Sequence, residues 1–134
     1  MCAAPGKICM NIKKGHSAKK GKIVIADDNE ELCELVVDIM EREGYEIDSV
    51  SNGYELLGYL ENNNPAVIIL DLMMPEKDGP SIIDTIKQVS PYSRIIIYTG
   101  HQQYERSVYA RVADRFVVKG DSIEQLIKAV EDLA

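Results

Sequence analysis

The stretch VIILDLMMPEKDG, residues Val67–Gly79, places a carboxylate directly after an uninterrupted aliphatic run. Four aliphatic residues precede Asp71, and a further apolar triplet leads to the turn at Pro75. An all-apolar run of this kind is typical of a strand that is buried on both faces of a parallel sheet. Burying an unpaired carboxylate costs on the order of several kcal/mol. Asp71 is therefore either the exposed end of a strand or a group held there for a chemical purpose.

The rest of the chain alternates short apolar runs with amphipathic segments from Lys22 onward. The predicted strands are KIVIADD, YEIDSV, AVIIL, RIIIYT and RFVVKG, and apolar residues at helical spacing predict five helices. The predicted buried positions are Leu32, Leu35, Val36, Ile39 and Met40 in the first helix, Ile82, Ile83, Ile86 and Val89 in the third, Val108 and Val112 in the weakly patterned fourth, and Ile123, Leu126, Ile127, Val130 and Leu133 in the last. Gly44 predicts the end of the first helix, and a capping-box pattern from Ser122 to Gln125 predicts the start of the last.

Five strands that alternate with five helices predict an α/β fold with a parallel sheet and right-handed connections. At this length the simplest choice is a flavodoxin-like, three-layer (βα)5 fold with strand order 2-1-3-4-5. In such a sheet, ligands bind beyond the carboxyl ends of the strands, where strands one and three are neighbours. Asp71 follows strand three and is expected at that position.

Composition and charge divide the 134-residue chain into a tail and one domain. Residues 1–22 contain six lysines and no acidic residue, whereas the whole chain carries a net charge of −7, so the remaining 112 residues carry −13. We expect a basic, disordered tail at 1–21 and a folded domain at 22–134. An acidic domain is poorly suited to nucleic acid, and no apolar run approaches the ~20 residues of a membrane span. The three cysteines match no metal-site or disulfide spacing, and with no secretory signal the chain is expected in the cytoplasm.

Polar side chains follow four of the predicted strands at the same edge of the sheet. Asp27 and Asp28 follow strand one, Asp71 follows strand three, and Thr99 and Lys119 follow strands four and five. Three carboxylates are therefore expected to converge, and like charges raise one another's pKa unless a cation such as Mg²⁺ offsets them. The set predicts a phosphoryl-transfer site, in which Asp71 is the nucleophile, Thr99 binds a phosphoryl oxygen, and Lys119 with Mg²⁺ balances the developing charge.

Each of these residues also has a plainer structural interpretation. Asp27 or Asp28 could cap the helix that begins near NEEL, and Lys119 could be a solvated loop charge. Threonine is common at strand ends. The joint occurrence of all five residues at the ends of four parallel strands favours the functional interpretation.

These segments resemble the receiver domain of two-component response regulators. The acidic pair in IVIADD, the DLMMPEKDG run, YTG and FVVKG occur in the family's order over Lys22–Ala134. The resemblance implies the same fold and a phosphoryl group that Asp71 takes from a sensor histidine kinase or a histidine phosphotransfer protein. It also implies that Asp27, Asp28 and Asp71 bind Mg²⁺. Met73 would lend its backbone carbonyl to the same metal.

The resemblance assigns two further roles and contains one departure. Thr99 matches the family's switch hydroxyl, and Phe116 matches an aromatic residue that swings inward when that hydroxyl moves. The family usually follows its lysine with a cis proline, but here Gly120 follows Lys119. Because a cis bond before a non-proline residue costs ~3–4 kcal/mol, we expect a trans peptide there. His101, two residues past Thr99, is a candidate modulator of dephosphorylation, and an ordinary helix-start histidine is the alternative.

The sequence thus predicts a signalling receiver that catalyses its own phosphorylation and dephosphorylation and is not otherwise an enzyme. Phosphorylation adds roughly −1.5 to −2 charges, so Thr99 and the weakly patterned fourth helix are expected to rearrange. The expected partner-binding face joins that helix, strand five and the last helix, around Tyr104, Tyr109 and Phe116. Since no second core follows the last helix, we expect a stand-alone receiver. The alternatives are a receiver-like scaffold that works without phosphorylation and a receiver fragment of a larger regulator or hybrid kinase.

Two other functions share parts of this pattern. A flavodoxin-type electron carrier needs a Gly-, Ser- and Thr-rich loop after strand one, whereas ADDNEE would repel the flavin phosphate. A haloacid-dehalogenase-like phosphatase needs a second Asp two residues after its nucleophile, and Met73 stands there. That residue favours a phosphoryl group that stays on Asp71.

Overall fold

The computed structural model describes residues 20–72, 79–100 and 111–134, which form a five-stranded sheet with helices on both faces. The strands are β1 (Lys22–Ala26), β2 (Glu46–Val50), β3 (Val67–Leu70), β4 (Arg94–Thr99) and β5 (Arg115–Val118). The helices are α1 (Glu30–Arg42), α2 (Gly53–Leu60), α3 (Gly79–Val89) and α4 (Ile123–Leu133). The tail expected at 1–21 lies almost wholly outside the described residues, as does most of the fourth predicted helix.

All strand pairs are parallel, and the order is β2-β1-β3-β4-β5, so the predicted flavodoxin-like fold is confirmed. The register explains how the polar residues meet. Ala26 is opposite Leu70, so the residues that follow them leave the sheet side by side. Thr99 is opposite Val118, so the residue after β5 emerges next to the end of β4.

Two hydrophobic cores lie on opposite faces of the sheet because successive strand side chains alternate between them. Ile23 and Ile25 of β1 face the core that α1 and α4 cover. Val24 and Ala26 of the same strand face the core that α2 and α3 cover. Every residue of β3 is buried, which agrees with the all-apolar sequence of this central strand.

Three residues predicted to be buried are in fact exposed. Leu35 is 50% exposed, Val89 is 48% exposed and Val112 is 40% exposed. In α1, Cys33 is buried with Val36 and Met40, so the buried stripe is centred away from Leu35. Val89 is the last residue of α3. Periodicity identified the helices α1 to α4, but packing against the sheet set which edge of the apolar stripe stays in water.

Local capping residues fix where the helices begin and end. Asn29 caps α1 and Asn52 caps α2, each through a side-chain oxygen that accepts a backbone N–H. Gly44 follows α1 with a φ of +100°, a conformation that favours glycine. Ser122 precedes α4 as predicted, but its side chain makes no capping hydrogen bond. In the described part of the chain, no helix has the length and apolarity needed to cross a bilayer.

Candidate functional site

Four predicted site residues lie at the carboxyl edge of the sheet, held by backbone hydrogen bonds that continue the strand ladders. The N–H of Asp27 donates to Val50 O at 3.1 Å, and the N–H of Asp71 donates to Ala26 O at 3.1 Å. The N–H of Lys119 donates to Thr99 O at 2.8 Å. The sheet therefore fixes the backbone position from which each of these side chains extends.

Three carboxylates converge at this edge, as the sequence predicted. One oxygen each from Asp27, Asp28 and Asp71 lies within 4.8 Å of the others. Asp27 is 2% exposed and Asp71 is 5% exposed, whereas Asp28 is exposed. Two acids are thus buried beside each other, and the third is at the surface, where a solvated cation can reach it.

Lys119 supplies the positive charge that these acids require. Its Nζ lies 2.7 Å from Asp27 Oδ2 and 3.2 Å from Asp71 Oδ2, and its side chain is 23% exposed. Burial alone would lower the pKa of Lys119, but the contacts with Asp27 and Asp71 outweigh burial and hold that pKa above its ordinary value. The interpretation of Lys119 as a solvated loop charge is therefore wrong.

The start of α1 contacts Asp27 on two sides. Asp27 Oδ1 accepts the N–H of Asn29 at 2.9 Å, and the Cys33 thiol donates to Asp27 O at 3.4 Å. Asn29 is also the residue that caps α1, so the interpretation of Asp27 or Asp28 as the helix cap is wrong. Burial, with the Asp27 charge adding to it, raises the pKa of the Cys33 thiol to about 11.

Thr99 and Phe116, the two residues of the predicted switch, differ in how far they are buried. Thr99 is fully buried at the end of β4. Phe116 is half-buried and packs against the core under α2 and α3. An added Cβ at Gly100 would meet no atom of the described residues within 4 Å.

The remaining predictions at this edge have mixed outcomes. The peptide between Lys119 and Gly120 is trans as expected, since the described residues contain no cis peptide. Met73 and His101 lie outside the described residues, so their predicted roles stay predictions. The same holds for Tyr104 and Tyr109 on the expected partner-binding face.

The residues present fit a hard divalent cation. Asp27 Oδ2 is buried and, apart from its ion contact with Lys119, has no hydrogen-bond partner of good geometry among the described residues. A buried carboxylate oxygen of this kind is an available ligand, and Asp28 and Asp71 place two more carboxylates within reach. Oxygen-only donor sets of this type suit Mg²⁺.

A cavity of about 410 Å³ adjoins Asp27 between α1 and the connection from β2 to α2. Four acidic side chains, those of Asp27, Glu30, Glu34 and Glu55, line it, and no basic side chain of the described residues does. The negative potential on this side of Asp27 favours the approach of cations.

Sequence reasoning missed Asn29 and the contact of Cys33 with Asp27. The signal for Asn29 was present, because an Asn before two glutamates is a common helix start. No sequence signal existed for Cys33, since its contact depends on how α1 packs against β1.

Comparison with known proteins agrees with this fold. The family model described as "Response regulator receiver domain" matches residues 23–131. The transcriptional regulatory protein SrrA of Staphylococcus aureus is 32% identical over 114 residues, which are 84% of this chain and 47% of SrrA. The chain therefore spans about half the length of the curated relatives it matches.

Two solved structures are similar in sequence as well as in fold. The response regulator protein TrrA of Thermotoga maritima, in complex with Mg²⁺ and BeF, has a TM-score of 0.79 and 31% identity. That similarity covers 84% of this chain and 98% of TrrA. TrrA in complex with the histidine kinase ThkA gives a TM-score of 0.77 and 31% identity, covering 84% of this chain and 97% of TrrA.

Proposed function

The chain belongs to the response regulator receiver family, and we propose that Asp71 accepts a phosphoryl group from a histidine kinase or a histidine phosphotransfer protein. The observation that carries the proposal is the Lys119 ammonium 3.2 Å from Asp71, in a cluster with two further acids. Receiver domains are signalling modules, so the product of this reaction is a changed binding surface. The structure of TrrA with the kinase ThkA supports a kinase as the donor.

The chemistry assigns one step to each side chain. A carboxylate oxygen of Asp71 forms a bond to phosphorus, and the bond from phosphorus to the donor's histidine nitrogen breaks. The nitrogen keeps the electron pair of that bond. Lys119 stabilises the negative charge that develops on the phosphoryl oxygens, and the Thr99 hydroxyl binds one of those oxygens afterwards.

Asp27, Asp28 and Asp71, with the backbone carbonyl of Met73, are the proposed ligands of Mg²⁺. When bound, Mg²⁺ neutralises charge shared between the acids and the transferred group. The buried Asp27 Oδ2 and the Mg²⁺ in the TrrA complex support this assignment. Hydrolysis of the phosphoryl group at the same site returns the domain to its unphosphorylated state. His101 is the proposed modulator of that step.

The proposed switch runs from Thr99 to Phe116. A buried hydroxyl that moves toward the phosphoryl group leaves space behind it, and half-buried Phe116 is placed to move inward. The partner-binding face is then the segment between β4 and β5 together with β5 and α4. Its partner is a downstream protein, and the domain itself binds no nucleic acid.

We further propose that the receiver domain spans 22–134, that 1–21 is a basic tail, and that the protein is located in the cytoplasm. Because the chain spans 47% of SrrA, a receiver that is one part of a larger regulator or hybrid kinase is the second candidate. A receiver-like scaffold that works without phosphorylation is the third candidate. The intact set of site residues argues against it, and Gly120 in place of the family's usual proline keeps it open.

The test is the intact mass of the protein after incubation with Mg²⁺ and acetyl phosphate, beside an Asp71→Asn control. One added phosphoryl group in the parent alone would support Asp71 as the acceptor. Should the parent gain no mass, binding of beryllofluoride with Mg²⁺ decides between a receiver that refuses small donors and a scaffold. Failure of both measurements would end the proposed function.

A further inference from the structure

Asp27 is held in one orientation by the residue that starts α1. Its Oδ1 accepts the backbone N–H of Asn29 at 2.9 Å, a hydrogen bond between residues two apart. A carboxylate has only two oxygens in one plane, so fixing Oδ1 restricts where Oδ2 can lie. Asp27 Oδ2 accordingly lies toward Lys119 and the other acids.

Asn29 is itself fixed by two hydrogen bonds to the first turn of α1. Its side-chain Oδ1 accepts the N–H of Leu32 at 3.1 Å, and its carbonyl accepts the N–H of Cys33 at 3.0 Å. Its backbone is extended, with φ −88° and ψ 103°, as a cap residue requires. The direction of the Asn29 N–H therefore depends on the cap.

We propose that Asn29 is a positioning residue for the cation site, because its cap on α1 aims the N–H that orients the Asp27 carboxylate. This inference rests on the proposed function, since it assumes that Asp27 binds Mg²⁺. It goes beyond that function because it adds Asn29, the residue that caps α1 and is not itself a proposed ligand of Mg²⁺.

The chain contains a matched control for this idea. Asn52 caps α2 in the same way, with Oδ1 accepting the N–H of Glu55 at 2.8 Å. Asn52 makes no hydrogen bond with Asp27, so Asn52→Ala removes an equivalent cap without freeing the carboxylate. Asn29→Ser is the conservative rescue, because serine caps helices about as well as asparagine and adds no charge.

The experiment measures the Mg²⁺ dissociation constant of the full chain by calorimetry, with the melting temperature of each variant recorded in parallel. We expect Asn29→Ala to weaken Mg²⁺ binding at least threefold. Asn29→Ser should stay within twofold of the parent, and so should Asn52→Ala, although Asn52→Ala lowers the melting temperature about as much as Asn29→Ala. Amide hydrogen exchange at residue 29, measured without metal, should be faster in Asn29→Ala than in the parent.

Each contrary result has a distinct meaning. Equal Mg²⁺ affinity in Asn29→Ala and the parent would overturn the inference alone. Equal weakening by Asn52→Ala would do the same, because general destabilisation would then explain the effect. A parent that binds no Mg²⁺ would overturn the inference together with the metal part of the proposed function.

Discussion

The Lys119 ammonium lies closer to Asp27 than to Asp71, at 2.7 Å against 3.2 Å. Two strands, β3 and β4, separate β5 from β1 in the sheet. The lysine after the fifth strand therefore reaches across the site and links the acid after the first strand to the proposed acceptor. Removing its charge affects both carboxylates at once.

Replacing Lys119 with Met should lower the free energy of unfolding by about 3 kcal/mol, because two buried carboxylates then lack their counterion. Mg²⁺ should restore more stability in this variant than in the parent, since the cation replaces the missing charge. Urea denaturation with and without Mg²⁺ measures both effects. Lys87→Met, at an exposed position of α3, is the control and should leave stability nearly unchanged. A Lys119→Met variant as stable as the parent without Mg²⁺ would contradict the prediction.

Stability should also depend on pH in the alkaline range. Although burial opposes it, contact with Asp27 and Asp71 raises the pKa of Lys119 above its ordinary value of 10.5. A raised pKa means that the native state binds the proton more tightly than the unfolded state. The stabilisation is thus complete below about pH 10.5 and is lost as pH rises through the native pKa.

The free energy of unfolding should therefore fall more steeply above pH 10.5 in the parent than in Lys119→Met. Burial also raises the pKa of Cys33, Tyr45 and Tyr98, and each contributes in the same direction. The difference between the two proteins contains the Lys119 contribution together with a smaller opposing change, because the Lys119 charge lowers the pKa of Cys33 and Tyr98 in the parent. Parallel curves from pH 9 to 12 would show that the ion pair adds nothing.

Cys33 should react slowly with iodoacetamide in the native protein. Its pKa is raised from 9.0 to about 11, which lowers the thiolate fraction near pH 8 by roughly a hundredfold. The tryptic peptide Ile23–Arg42 contains Cys33 and no other cysteine, so mass spectrometry can follow this site alone. Alkylation in urea provides the reference rate. Equal rates in the native and urea-denatured protein would mean that the thiol is neither buried nor shifted.

Thr99 should be needed for the switch and not for acceptance of the phosphoryl group. With beryllofluoride and Mg²⁺ bound, Thr99→Ala should lose most of the amide shift changes at residues 111–120, whereas Thr99→Ser should keep them. Asp71 should still gain a phosphoryl group in both variants, because the carboxylate and Lys119 remain. Unchanged spectra in Thr99→Ala would remove the hydroxyl from the proposed switch.

Two residues of α3 test where its buried face ends. Ile86 is fully buried, whereas Val89 is 48% exposed. Ile86→Ala should lower the free energy of unfolding by about 3 kcal/mol through the cavity it leaves, and Val89→Ala by less than about 0.5 kcal/mol. Chemical denaturation measures both. A large loss in Val89→Ala would mean that another part of the chain covers this residue.

Much of the fold was readable from the sequence, because its signals are local. The aliphatic runs of β3 and β4 are typical of strands buried on both faces, and the alternation with helices predicted a parallel sheet. Strand order 2-1-3-4-5 was the simplest choice for an α/β fold of this length, and it is confirmed. The sequence also predicted which residues end at the carboxyl edge, since each follows directly on a strand.

Tertiary structure alone decided how those residues meet. Asp27 is the nearer partner of Lys119, and the N–H of Asn29 at the start of α1 orients the Asp27 carboxylate. In α1 the buried residue is Cys33, whereas Leu35, which was predicted to be buried, is exposed. These relationships join residues from different elements, and their distances depend on strand register, helix rotation and side-chain packing. Sequence spacing determines which residues reach the same edge of a sheet, whereas the contacts among them depend on packing that no local pattern encodes.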